Sequence, residues 1–144
     1  MTDPLSGALR SLLPHSGTAR LLTSILRSGP DAIDGIGHVP AAHPLAGGGR
    51  VPSFLGLELG AQAAAALEAL LRTDPIDDGV RRIGYLVRIR EASFLEPHLP
   101  VETPLCVSAR LEGTAPPLAV YRIRVGIGLV EYLRAIVSTH SGGE

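Results

Sequence analysis

The chain has 144 residues, 45% of them hydrophobic, with a formal net charge of −1, no Trp and one Cys. That length fits one domain over residues 1–144, with a core of Leu, Val, Ile and Ala; near-neutral charge and few aromatics argue against nucleic acid as a partner. A lone cysteine, Cys106, excludes an intrachain disulfide and fits a reducing, cytoplasmic setting.

Residues 5–13 read as a short helix that ends before Pro14, because the residue preceding a proline disfavours helical geometry. Residues 21–26 read as a strand. After the Ser28-Gly29-Pro30-Asp31 turn, residues 32–39 read as a second strand, giving a hairpin. Residues 40–52 hold three prolines and Gly47-Gly48-Gly49, and read as loop.

The main helix is expected at about 53–72, with Ser53 capping its first turn. Its alanine run gives high helix propensity and a slim profile. Glu58, Gln62 and Glu68 interrupt the apolar stretch, so it reads as a buried soluble helix and not as a membrane span. The N-terminus lacks the basic region of a signal peptide.

Residues 73–79 read as a turn, and strands are expected at 83–94, 104–112, 118–126 and 129–140. A break at Glu96-Pro97-His98-Leu99-Pro100 and hairpin turns at 113–117 and Gly126-Ile127-Gly128 separate them. This order predicts an α+β fold in which an antiparallel sheet wraps around one long central helix, the only element able to cover its apolar face.

His43 stands in the loop shortly before that helix, Glu58 in the opening turn, and Gln62 one turn further on. A carboxylic acid among apolar neighbours is costly to desolvate unless it is paired or put to use. A His/acid pair in such a setting suits removing one proton and delivering another.

Three segments carry a family resemblance: Leu12-Leu13-Pro14-His15, Val51-Pro52-Ser53-Phe54-Leu55-Gly56-Leu57-Glu58-Leu59-Gly60-Ala61-Gln62, and Phe94-Leu95-Glu96-Pro97-His98-Leu99-Pro100-Val101. Together they resemble the hotdog-fold 3-hydroxyacyl-[acyl-carrier-protein] dehydratases, closest to a divergent branch found with aryl-polyene and related fatty-acid-like gene clusters. The resemblance implies dehydration of a 3-hydroxyacyl thioester to the trans-2-enoyl thioester, without a cofactor. It assigns His43 as the base beside the thioester carbonyl and Glu58 as the acid that protonates the departing hydroxyl. It further assigns the Ser53 backbone N–H as the donor that polarises the carbonyl, and Gln62 as the amide that orients Glu58. A buried carboxylic acid tends to keep a proton available for such a step.

The resemblance also implies an acyl-carrier protein or acyl-CoA thioester as substrate. It implies a homodimer, or a heterodimer with a related hotdog chain, in which the His of one protomer faces the acid of the other. The chain departs from the family in three places. The gap from His43 to Glu58 is one residue longer, the family's Gly-His-Phe-Pro-Gly loop is here Ala42-His43-Pro44-Leu45-Ala46, and Ser53 stands where the family usually has Gly.

Two other functions compete: a hotdog acyl thioesterase using Glu58 as base or nucleophile, and a non-catalytic partner subunit of a related dehydratase. His38, at the end of the second strand, is a rival base. His15 reads as a pocket-edge residue, His98 as structural in a tight turn, His140 and Glu68 as reaching solvent, and Cys106 as core. The glycine run lacks a P-loop lysine. Arg81, Arg82, Arg88 and Arg90 form the densest positive cluster, either a solvated face or a docking site for an acidic carrier protein. No Cys pair or ligand-spaced histidines suggest a metal.

Overall fold

The computed structural model describes residues 19–71 and 83–142. The expected helix at 5–13, the turn at 73–79, and His15, Arg72, Arg81 and Arg82 lie outside the described residues. Strand β1 (Leu22–Ser28) and β2 (Ala32–Gly37) form the expected hairpin, closed by the Gly29 N–H donating to the Ala32 carbonyl at 2.8 Å. Helix α1 spans Leu55–Leu71. Four strands of the second half, β4 (Ile83–Phe94), β6 (Leu105–Ala115), β7 (Leu118–Ile127) and β8 (Val130–Gly142), complete an antiparallel six-stranded sheet of order β1-β2-β6-β7-β8-β4.

The period of two along these strands explains how the sheet wraps the helix. Strand β6 buries Leu105, Val107 and Ala109; β7 buries Tyr121, Ile123 and Val125; β8 buries Leu133, Ala135 and Val137. These side chains share one core with Leu55, Leu59, Ala63, Ala66 and Leu67 of α1. The contact is close because the helix is slim. A Cβ on Gly56 would come within 2.3 Å of Leu133, and one on Gly60 within 2.3 Å of Ile123. This sheet around a central helix is the hotdog architecture that the resemblance implied. Among the described residues, no helix is long and apolar enough to cross a membrane.

Two segments expected to be irregular contain strands. Residues Arg50–Pro52 form β3 and His98–Pro100 form β5, and the two pair antiparallel as a separate ribbon with Val51 opposite Leu99. Both of those side chains are buried in the core. The prolines that suggested breaks sit at the ends of a two-stranded ribbon, where a missing N–H costs no ladder bond. The glycine run makes a tight turn. Gly48 and Gly49 both have positive φ (62° and 77°), and Gly47 and Arg50 bond to each other across them. Positive φ at both central residues is what a two-residue hairpin demands, and glycine meets it without a Cβ penalty.

Cys106 corrects an expectation. It is exposed, because the alternation that buries Leu105 and Val107 turns the residue between them outward with Ser108 and Arg110. His140 is half-buried on β8 opposite Leu118, and is not simply solvated.

Candidate active site

The ribbon β3–β5 positions the helix start. Ser53 follows β3 directly, and its N–H donates to the Pro97 carbonyl at 3.0 Å, extending the ribbon by one residue. Its hydroxyl donates to the Glu96 carbonyl, so the side chain does not cap the helix as expected. Only the Ser53 carbonyl joins the helix, accepting the Gly56 N–H at 2.8 Å. Ser53 is buried, and the N–H assigned to the thioester carbonyl is engaged by Pro97. The ribbon claims that donor because its register runs straight into the residue after β3.

Glu58 lies in the first turn of α1 and is half-buried. Gln62, one turn on, is 0% exposed and places its Nε2 3.4 Å from Glu58 Oε1, the i,i+4 proximity expected of one helix face. The stronger bonds of Gln62 go elsewhere. Its Oε1 accepts the N–H groups of Leu21 and Leu22 at 2.8 and 3.0 Å, and its Nε2 donates to the Ala19 carbonyl at 2.7 Å. A fully buried amide with both ends satisfied ties the start of β1 to the helix and leaves one weaker hydrogen bond for Glu58.

His43 is half-buried in the loop between β2 and β3. Its N–H donates to the Pro40 carbonyl at 3.0 Å, its carbonyl accepts the Ala46 N–H at 2.9 Å, and its Nδ1 accepts the Leu45 N–H at 3.1 Å. A backbone N–H can only donate, so the neutral ring carries its hydrogen on Nε2.

His38, the rival base, sits between buried Gly37 and Val39 and turns the other way from them, to the rim. Its Nε2 lies 3.1 Å from Glu102 Oε2 in an exposed pair. The Ala41 N–H bonded to Glu102 holds that carboxyl below its ordinary range; desolvation opposes this and the nearby His38 reinforces it. Glu102 carried no motif in the sequence and gave no sign of its partners.

His98 belongs to β5, paired with Pro52, and is half-buried. Glu68 does not simply reach solvent. Its Oε1 accepts Tyr121 Oη at 2.8 Å and Thr139 Oγ1 at 3.0 Å. Burial, and then the Glu68 carboxylate, push the Tyr121 phenol far above its ordinary range. Arg88 and Arg90 are exposed and border a groove of about 560 Å³ shared with Gly113, Val120 and Ser138. Among the described residues, no group of three or more His, Cys, Asp or Glu side chains is arranged to hold a metal.

No curated protein sequence matches the chain. Among solved structures, the dehydratase heterocomplex ApeI:P from Xenorhabdus doucetiae superimposes with a TM-score of 0.82 at 15% identity, covering 94% of this chain and 91% of that one. Cj0977, a sigma28-regulated virulence protein of Campylobacter jejuni, gives 0.71 at 11% identity, covering 99% and 94%. Zebra fish thioesterase superfamily member 2 gives 0.65 at 12% identity, covering 98% and 100%. At such identities these structures establish the shared hotdog fold. The family model described as ApeP dehydratase matches residues 7–142, and the chain belongs to this ApeP-like family.

Proposed function

We propose that the chain acts in the dehydration of a 3-hydroxyacyl thioester, carried on an acyl-carrier protein or on coenzyme A, with His43 and Glu58 as its catalytic pair and no cofactor. The observation that carries this reading is Glu58 on the opening turn of α1 beside Gln62, within a chain of the ApeP-like dehydratase family. His43 takes the proton from the carbon next to the thioester carbonyl. The electron pair of that C–H bond forms the new double bond as the C3–O bond breaks. Glu58 protonates the leaving oxygen, and water departs.

For His43 to take a proton through Nε2, its Leu45 hydrogen bond must break and the ring hydrogen must pass to Nδ1, the tautomer in which Nε2 carries the lone pair. Because the Ser53 N–H is engaged by Pro97, polarising the thioester carbonyl falls to the next amides of the helix start, Phe54 and Leu55, where the helix dipole favours negative charge. Gln62 steadies the Glu58 carboxyl. Arg88 and Arg90, exposed and without an ion-pair partner among the described residues, suit an acidic carrier protein. The working unit is a cytoplasmic dimer with a second hotdog chain, identical or related.

The test is to incubate the purified chain with 3-hydroxyacyl-carrier protein and follow the loss of one water by mass. Release of free thiol instead would make it a thioesterase. The ApeI:P structure is a heterocomplex, which favours a second reading in which the chain supports a related catalytic subunit. A chain inert alone that raises a partner dehydratase's rate on mixing would establish that reading.

A further inference from the structure

We propose that Glu102 is the positioning residue for His43, clamping the turn on which that histidine stands; this rests on the reading of His43 as the site's base. Residues Pro40 to His43 form a β-turn, closed by the His43 N–H on the Pro40 carbonyl at 3.0 Å. Ala41 is the first corner of that turn, and its N–H donates to Glu102 Oε1 at 2.8 Å. The second carboxylate oxygen meets His38 Nε2 at 3.1 Å, and the Glu102 N–H donates to the Val39 carbonyl at 2.8 Å. One residue therefore grips the approach to the turn at three points, His38, Val39 and Ala41. Its neighbour Val101 donates to the Gly49 carbonyl at 3.1 Å and holds the far end of the same loop.

The backbone of Glu102 shows that the side chain is what matters at this position. Its φ is 54°, in the left-handed region that glycine adopts freely and other residues adopt only when their surroundings impose it. A glycine would suit the main chain better, yet it has no side chain to hold Ala41 and His38 together. The carboxylate is more than half exposed, so the pair with His38 is screened and its value is geometric. Among the described residues, the only titratable group bonded to it is His38. A loop of twelve residues, 38–49, that carries a proton-transfer group needs such an anchor, since small misplacements of a reacting group are costly to rate.

The test uses Glu102→Gly, which fits the left-handed backbone while removing the clamp, and Glu102→Gln, which keeps an acceptor for Ala41. Native-state hydrogen exchange of the Ala41 amide is measured alongside kcat and KM on a 3-hydroxyacyl thioester, with the second hotdog chain present if activity requires it. In Glu102→Gly the thermal midpoint should hold, Ala41 should exchange about tenfold faster or more, and kcat should fall about tenfold with KM little changed. Glu102→Gln should restore most of both readouts. In a His43→Ala background, Glu102→Gly should lower kcat no further. Unchanged Ala41 exchange, or an equal loss of kcat without His43, overturns the proposal. Faster Ala41 exchange in a chain that dehydrates nothing upholds the clamp and overturns only the dehydratase reading.

Discussion

Gln62 places one amide nitrogen 3.4 Å from Glu58 Oε1 and 2.7 Å from the Ala19 carbonyl. The same side chain thus serves the candidate acid and the strand entering the sheet, and the shorter bond belongs to the strand. Its structural and functional parts are separable by experiment.

Gln62→Leu keeps the volume but leaves the buried Leu21 and Leu22 amides and the Ala19 carbonyl without their partner. Unsatisfied buried groups are costly, so the folded state should lose about 2–4 kcal/mol in urea unfolding. A loss under about 0.5 kcal/mol, the size of an ordinary surface change, would show that water replaces the amide.

His43→Ala and Glu58→Gln should each lower the dehydration rate by roughly 10²–10⁴, the range of general acid–base groups. Because the two act in one step, the double variant should be little worse than either alone. The urea midpoint of His43→Ala should move little, since the ring is only half-buried. Activity that survives in the double variant would remove both residues from the mechanism.

Tyr121 offers a pH test. Its phenol is raised above the ordinary value of 10.0, by burial first and by Glu68 second. A raised group contributes stability that is fully present below its unfolded value and lost as the pH climbs towards its folded value. Stability should therefore decline above about pH 10 more steeply in the natural chain than in Tyr121→Phe. At neutral pH the variant should be weaker by about 1 kcal/mol for the lost hydrogen bond to Glu68. Parallel unfolding curves at pH 8 and pH 11 would assign the alkaline loss to other groups.

Gly60→Val tests the contact between helix and sheet. A Cβ there lies 3.0 Å from Ile123 Cβ as well as close to the end of that side chain, so rotation of Ile123 alone does not relieve it. Overpacking should cost about 3 kcal/mol, read from chemical denaturation. A variant as stable as the natural chain would mean that the helix can move away from the sheet.

The large elements were legible because they are written in local patterns. Alternation along β6, β7 and β8, turn residues between them, and an alanine-rich stretch for α1 are all visible within a few residues. The ribbon of β3 and β5 was not, since Pro52, Pro97 and Pro100 read locally as breaks and the two strands meet only across 48 residues, from Val51 to Leu99. Apolar flanks on both sides of Cys106 do not say which phase of the alternation points inward, and the strand turns it outward. Position along the chain points Glu68 and His140 to solvent, whereas Tyr121 and Thr139 come to Glu68 from other strands.

The same division runs through the candidate site. The chain by itself determined that Glu58 and Gln62 share a helix face, because a spacing of four residues sets that in any α-helix. It also determined that His43 stands in a turn-rich loop ahead of them. Only the tertiary structure decided that the Ser53 N–H answers to Pro97, that Gln62 answers chiefly to Ala19, Leu21 and Leu22, and that Glu102 holds the turn of His43. Each of those bonds joins groups some 40 or more residues apart, where residue type and spacing carry no record of the partner and the close packing of sheet, ribbon and helix selects it.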